Sequence, residues 1–223
     1  MRMIVVRPAP GDSRTLARLA ARGIDAESIP VFAVRPVAWT PPDPTGFDAV
    51  LLTSANALRH GGTELDRLRE LPVVAVGAAT AAAARAAGFM VALTGTGDVA
   101  RVGAEAASMG LGRLLHLAGR DRRAAGTTTV TVYASEPLVV SPADVARFAG
   151  ATVLLHSARA AAAVAGLVDR AGVDRADVRL AAFSAAVAAA AGDGWQRVAI
   201  APAPTDPALI EAAIDQRSPR ADK

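Results

Sequence analysis

Val50-Leu-Leu-Thr-Ser-Ala-Asn-Ala-Leu58 returns later in the chain as Val153-Leu-Leu-His-Ser-Ala-Arg-Ala-Ala161. Two further pairs follow in the same order. Ala75-Val-Gly-Ala-Ala-Thr-Ala-Ala-Ala83 answers to Ala182-Phe-Ser-Ala-Ala-Val-Ala-Ala-Ala190, and Gly97-Asp-Val-Ala-Arg-Val-Gly-Ala-Glu105 to Thr205-Asp-Pro-Ala-Leu-Ile-Glu-Ala-Ala213. An Ala-rich chain matches itself by chance at any one place. Three matches in order, with only small changes of spacing, mark two related structural units.

Each repeat opens on a short apolar run and continues into an Ala-rich helical pattern, and the alternation extends along most of the chain. Strands are expected near Met3–Val6, Ala26–Ile29, Ala49–Leu52, Val73–Val76, Val91–Leu93, Leu114–Leu117, Val130–Tyr133, Ala151–Leu155, Arg179–Ala182 and Arg197–Ala201. Helical stretches such as Ser13–Arg22, Ala78–Ala87, Ala158–Ala171 and Asp206–Arg217 lie between or after them. Strands of four or five residues that are apolar throughout suit a parallel sheet covered on both faces. Strand and helix in alternation give a doubly wound, flavodoxin-like α/β fold.

The partition is uneven. Only two strands precede the Pro-rich stretch Pro36–Pro44, too few for a stable sheet, and three follow Pro142. Together these make five, and the middle of the chain supplies about five more. The simplest solution builds one discontinuous domain from residues 1–35 and 140–223 and inserts a second, residues 40–130. The two crossings, 32–39 and 131–140, carry strand-like sequence and can pair as a two-stranded linker. Such a link permits hinge motion and leaves a cleft between domains.

Composition narrows the function classes. Hydrophobic residues make up 52% of the chain but aromatics only 4%, so the core is built from Ala, Val and Leu. The net charge of +3 suits an anionic ligand. It is too thinly spread for a nucleic-acid footprint, and the one lysine is the last residue. The lack of cysteine excludes disulfides, thiolate metal sites and a cysteine nucleophile, and it agrees with a reducing cytoplasm. The apolar run near the N-terminus is too short for a signal-peptide core, and no stretch reaches the roughly 20 residues that span a bilayer. The expectation is a soluble, cytoplasmic monomer with no nucleic-acid or membrane partner.

There is no Walker loop, no GxGxxG after a strand, no HExxH and no nucleophile elbow. His60, His116 and His156 have no metal-ligand spacing, so no metal site is expected. Gly95-Thr-Gly97 reads as a turn before a helix. What the chain does carry is a series of small polar residues where strands lead into helices: Thr53, Ser54 and Asn56; Gly77 and Thr80; Gly119 and Arg120; Ser157 and Arg159; and Ser184. Ligands bind at the carboxyl ends of parallel strands, and helix N-termini there suit carboxylates. The same serines are also natural N-caps, and the two roles can coexist because both use the helix end. Arg7-Pro8 and Arg120-Asp-Arg122-Arg123 are cationic loops at corresponding positions. They are either solvated arginines or a seat for a polycarboxylate. Tyr133 is the only tyrosine, and it lies on the return crossing. It either fills a strand face or serves as a general acid.

The opening strand ending in Arg7-Pro8, Leu52-Thr-Ser-Ala-Asn-Ala-Leu58, Val74-Ala-Val-Gly-Ala-Ala-Thr80, Leu117-Ala-Gly-Arg120, Val132-Tyr-Ala-Ser135 and the strand ends at Ser157 and Ser184 together resemble the uroporphyrinogen-III synthase family. No single motif is specific; their order and spacing along nearly the whole chain carry the resemblance. It implies two α/β domains joined by a two-stranded linker, and a lyase of heme biosynthesis that needs no cofactor. The implied substrate is hydroxymethylbilane, a linear tetrapyrrole with eight carboxylates. Loss of its terminal hydroxyl gives an azafulvene cation, which closes through a spiro intermediate that inverts ring D and yields uroporphyrinogen III and water.

Carried over residue by residue, the resemblance makes Tyr133 the group that assists hydroxide departure. Ser54, Thr80, Gly119, Ser157 and Ser184 become carboxylate-holding positions. Arg7, Thr53, Asn56, Gly77, Arg120, Arg122 and Arg159 are the further candidate substrate contacts, on the strand-end and charge reading above. Two departures stand out. Ala185-Ala186-Val187 lacks the threonine that many members carry after the late strand, and Asp121–Thr129 is too short for the helix usual before the tyrosine strand. A non-catalytic tetrapyrrole or small-anion binding protein is the alternative on this fold, and a nucleotide-sugar or phosphate enzyme of another α/β family is the other.

Overall fold

The computed structural model describes residues 2–121 and 126–215. Its elements begin with β1 (Met3–Val5), α1 (Gly11–Ala20), β2 (Ala26–Ser28) and β3 (Phe32–Pro36). There follow β4 (Ala49–Leu52), α2 (Asn56–His60), β5 (Val73–Val76), α3 (Ala78–Ala86), β6 (Val91–Gly95), α4 (Val99–Ser108), β7 (Leu114–Gly119) and β8 (Thr128–Pro137). The chain continues with α5 (Pro142–Ala146), β9 (Thr152–Leu155), α6 (Ala158–Ala171), β10 (Arg179–Ala182), α7 (Ala185–Ala191), β11 (Arg197–Ile200) and α8 (Asp206–Asp215).

Two compact units result: Met1–Ala33 with Pro137–Lys223, and Val34–Glu136. The first holds a sheet in the order β11-β10-β9-β1-β2, parallel throughout. The second holds β3-β8-β7-β4-β5-β6, in which β8 through β6 are parallel. Val37 donates to Val132 and Leu138 to Val31, so β3 runs antiparallel to β8. The two crossing segments thus do pair with each other, and the paired strands β3 and β8 are also the edge of the second sheet. Because β8 bonds to β7 on one side and β3 on the other, residues 34–39 and 131–136 count with the second unit.

The internal repeat now has a spatial meaning. β4 matches β9, β5 matches β10, and α4 matches α8, and each pair takes the same place in its sheet. Read as β6-β5-β4-β7-β8, the second sheet is the first one entered at a different strand. By that equivalence β7 answers to β1, and Arg120 to Arg7. In chain order within each unit the first sheet reads 2-1-3-4-5 and the second 3-2-1-4-5. Each has a switch point, between β1 and β9 and between β4 and β7, where ligands of such sheets bind.

Apolar strands are buried because both faces are covered. In the first unit Ile4, Val153, Leu155 and Leu180 pack under α6 and α7, with Phe148 and Trp195 as large fillers. Met3, Val5, Leu154 and Ala181 face Leu19 of α1 and Leu209, Ile210 and Ala213 of α8. α6 shows how the sequence makes a helix of the right face: Ala160, Ala161, Val164, Ala165 and Val168 form one buried stripe at helical spacing. Ser157 caps its start, and Gly172, at φ 66°, takes the left-handed conformation that ends it.

The second unit packs Val50, Leu52, Val73, Ala75, Leu115 and Leu117 against Ala57, Leu65, Leu68, Ala81 and Ala84. On its other face Ala49, Leu51, Val74 and Leu114 meet Val102 and Ala106 of α4. The connection from β7 to β8 spans residues 120–127, shorter than the dozen or more that a parallel crossover ordinarily takes. Among the described residues no helix stands between those strands, whereas α1 fills the equivalent place between β1 and β2. Among the described residues, too, no helix is long and apolar enough to cross a membrane.

Candidate functional site

Parallel pairing brings the carboxyl ends of the strands to one edge of each sheet, and most of the polar residues singled out from the sequence lie there. In the second unit, Thr53, Ser54 and Asn56 follow β4. Thr53 Oγ1 lies 3.2 Å from His116 Nε2 of the neighbouring β7, and His116 is buried. The Asn56 N–H donates to Ser54 Oγ at 3.2 Å, and Asn56 Oδ1 accepts from Arg59 at 3.0 Å. Gly77 caps α3 with φ 89° and ψ 148°, a conformation that only glycine adopts without strain. Thr80, in the first turn of α3, is buried at 6% exposure rather than presented at the surface.

Gly119 ends β7, and Arg120 follows with its guanidinium largely exposed and 3.7 Å from Glu136. The Arg120 N–H donates to the Tyr133 carbonyl at 2.9 Å. Arg122 lies outside the described residues. Tyr133 is half-buried on β8, directly across the ladder from Gly119. It packs at the margin of the second unit's core, with the His60 ring at 6.4 Å between centroids and tilted by 38°. Among the described residues, no protein group bonds to its hydroxyl.

The first unit is arranged differently. Ser157 and Ser184 are N-caps whose hydroxyls accept from the N–H groups of Ala160 at 3.2 Å and Val187 at 3.3 Å. Arg159 is exposed and lays its guanidinium 4.5 Å over the Phe32 ring. Arg7 is not a loose cationic loop, because its guanidinium is drawn inward to Asp206, where Nη1 donates to Oδ1 at 2.9 Å. Gly11 makes room for it, since a Cβ there would lie 2.8 Å from Arg7 Cζ.

Asp206 is the centre of this arrangement, and sequence reasoning passed over it. It is 7% exposed and gathers Arg7, Arg18 at 2.5 Å, Thr15 at 2.9 Å and His156 at 3.1 Å. Burial by itself would raise its carboxyl pKa. Hydrogen bonds from His156 and Thr15, with the Arg7 charge, outweigh burial and hold it well below the usual carboxylate range. Burial pushes the His156 imidazole down, only partly offset by its bond to Asp206, and the nearby Arg7 charge acts in the same downward direction. His156 also sits edge-on to Phe183, 4.6 Å between centroids. The third repeat pair did align Asp206 with Asp98, a signal that this acid occupies a structurally equivalent strand-end position.

Among the described residues no group of three His, Asp or Glu side chains is arranged to hold a metal ion. The edges instead offer guanidinium groups, capped helix starts and one phenol. Guanidinium groups and helix starts suit carboxylates, and a phenol can donate a proton.

No curated protein sequence matches the chain. Among solved structures, uroporphyrinogen-III synthetase from Helicobacter pylori aligns over 97% of this chain and 100% of that one, at 16% identity and a TM-score of 0.65. A mutant uroporphyrinogen III synthase from Thermus thermophilus aligns over 97% and 100% at 15% identity, with a TM-score of only 0.48. At such identities the Helicobacter likeness establishes a shared fold. The family model HEM4, uroporphyrinogen-III synthase HemD, matches residues 13–211, from α1 into α8 and thus through both units. The chain therefore belongs to the uroporphyrinogen-III synthase family.

Proposed function

We propose that Tyr133 and the strand-end residues of the two units carry out the reaction of this family, the cyclisation of hydroxymethylbilane with inversion of ring D to uroporphyrinogen III and water. The phenol of Tyr133 donates its proton to the terminal hydroxyl of the substrate. The C–O bond breaks, water departs, and the azafulvene cation remains. The last ring attacks this cation through its substituted carbon, and rearrangement and closure follow. The proton released as the ring regains aromaticity restores the phenol.

The pyrroles are electron-rich, so the protein has little acid–base work beyond that donation. Its larger task is to hold the chain so that the uninverted closure is excluded. Arg7, Arg120, Arg122 and Arg159 attract carboxylates by charge. Thr53, Ser54, Asn56, Gly77, Thr80, Gly119, Ser157 and Ser184 mark the strand ends and helix starts that seat them. The observation that carries this reading is the only tyrosine of the chain, placed across from the end of β7 with no protein partner for its hydroxyl among the described residues. The same reading takes hydroxymethylbilane as the partner in preference to nucleic acid or membrane, and a single copy in the cytoplasm as the working form. The mild, dispersed charge excess supports an anionic small molecule.

The test is incubation of the protein with freshly generated hydroxymethylbilane, oxidation of the products and chromatographic separation of isomers I and III. Isomer I forms spontaneously, so predominant isomer III is the expected outcome. Tyr133→Phe should then lower kcat by on the order of 10²-fold while leaving the melting temperature within a few degrees. Isomer I alone, from folded protein, would leave a binding function in place of a catalytic one.

A further inference from the structure

We propose that Gly119 is a positioning residue for Tyr133, acting through the side chain it lacks. The inference rests on the reading of Tyr133 as the proton donor. An ideal Cβ built on Gly119 would lie 2.7 Å from Tyr133 Cε2, 2.8 Å from Cζ and 3.1 Å from Oη, and these are its three nearest atoms. The first two distances are shorter than real Cβ contacts allow, so any other residue at 119 displaces the reacting end of the tyrosine. The usual reason for a glycine does not apply, because Gly119 is not among the glycines with positive φ.

The ladder supplies the second part of the device. β7 and β8 pair in step from Leu115 with Thr128 to Ala118 with Thr131, and the register then shifts so that Gly119 faces Tyr133. Val132 is the extra residue, and it is fully buried. Such a bulge re-aims the side chains around it. In this case it delivers the ring to the one position on β7 with no side chain to oppose it. The His60 ring, 6.4 Å away, limits how far the phenol can swing. Gly119 thus serves the orientation of Tyr133 in addition to any contact its backbone makes with a carboxylate.

The experiment uses Gly119→Ala in the full chain, alone and combined with Tyr133→Phe, with hydroxymethylbilane turnover as one readout. Because Tyr133 is the only tyrosine, protein labelled with 13C at tyrosine Cζ gives one ring signal as the other. The expected result for Gly119→Ala is a displaced tyrosine signal, an unchanged melting temperature, and kcat lowered about tenfold or more with KM held within about twofold. On the Tyr133→Phe background the same substitution should cost less than about twofold, since no hydroxyl is left to misplace. An unmoved tyrosine signal overturns the proposal. An equal loss on both backgrounds also overturns it, because the glycine would then act on the substrate directly. Full activity in Tyr133→Phe alone would instead sink the proton-donor reading, and the ring signal would still report whether Gly119 sets the tyrosine.

Discussion

The two units share a sheet arrangement and a repeat, yet they treat one equivalent acid in opposite ways. Asp206 in the first unit is buried among Arg7, Thr15, Arg18 and His156. Asp98 in the second is exposed and caps α4, accepting from the Arg101 N–H at 2.9 Å. Among the described residues, the difference lies in what packs beside each acid. Thr15 and Arg18 belong to α1, which covers the sheet beside α8. The equivalent connection in the second unit is residues 120–127, and the matching face packs under α4. With no helix beside it among the described residues, Asp98 does the local work of a cap. The equivalent position therefore becomes an electrostatic hub or a helix start according to what packs next to it.

A related contrast concerns the glycines. Gly11 makes room for the Arg7 guanidinium, and Gly119 for the Tyr133 ring. In the first unit the glycine faces a guanidinium paired with Asp206, and in the second it faces an aromatic ring at the margin of the core.

The comparison can be broken most directly by removing the two acids. Asp206→Ala removes the buried partner of the half-buried Arg7 and of Thr15 and His156, and should cost about 3 kcal/mol of stability. Asp98→Ala loses one cap and should cost about 1 kcal/mol. Urea unfolding measures both, and hydrogen exchange should place the Asp206 effect in residues 2–33 and 137–215. Equal losses would mean that the buried cluster is no more than a second cap.

Acid sharpens the comparison further. His156 has a folded pKa below its unfolded value, so its contribution is complete above about pH 6.5 and is lost as pH falls below that. The slope for one such group is at most about 1.4 kcal/mol per pH unit. Asp206 adds a second loss in the same direction below about pH 4, because its folded pKa is depressed. Burial and the Arg59 charge lower His60 as well, but it is more exposed than His156. Stability should therefore fall between pH 7 and 5 mainly through the first unit, and His156→Gln should flatten that fall. An unchanged slope would show that His156 does not titrate as a folded-state switch.

The smallest effect separates the serines. Ser157→Ala and Ser184→Ala each remove a true N-cap bond and should cost about 1 kcal/mol. Ser54 bonds within a turn, while the N-cap of α2 is Ala55 with no side-chain bond. Ser54→Ala should therefore cost only a few tenths of a kcal/mol. Thermal melts of the three variants read the difference.

Much of this was legible in the chain. Short apolar runs such as Ala49–Leu52 and Val73–Val76 suit buried parallel strands, and all ten strands expected from the sequence are present. α6 has the same bounds as its Ala-rich pattern. The repeat paired β4 with β9, β5 with β10 and α4 with α8, and each pair takes the same place in its sheet. The Asp206 cluster was not legible, because its members are separated by most of the chain and each alone reads as an ordinary surface polar residue. The Gly119 contact escaped for a similar reason: a one-residue shift of register between β7 and β8 has no signature in either strand.

The sequence by itself determined the class of fold, the duplication and the strand-end placement of the polar residues. These follow from local hydrophobic pattern and self-similarity, which are properties of neighbours along the chain. Tertiary structure alone decided which acid is buried, which arginine is paired and where the tyrosine points. Those outcomes depend on what packs across a sheet or opposite a bulge, and such contacts join residues whose spacing in sequence carries no information about their distance in space.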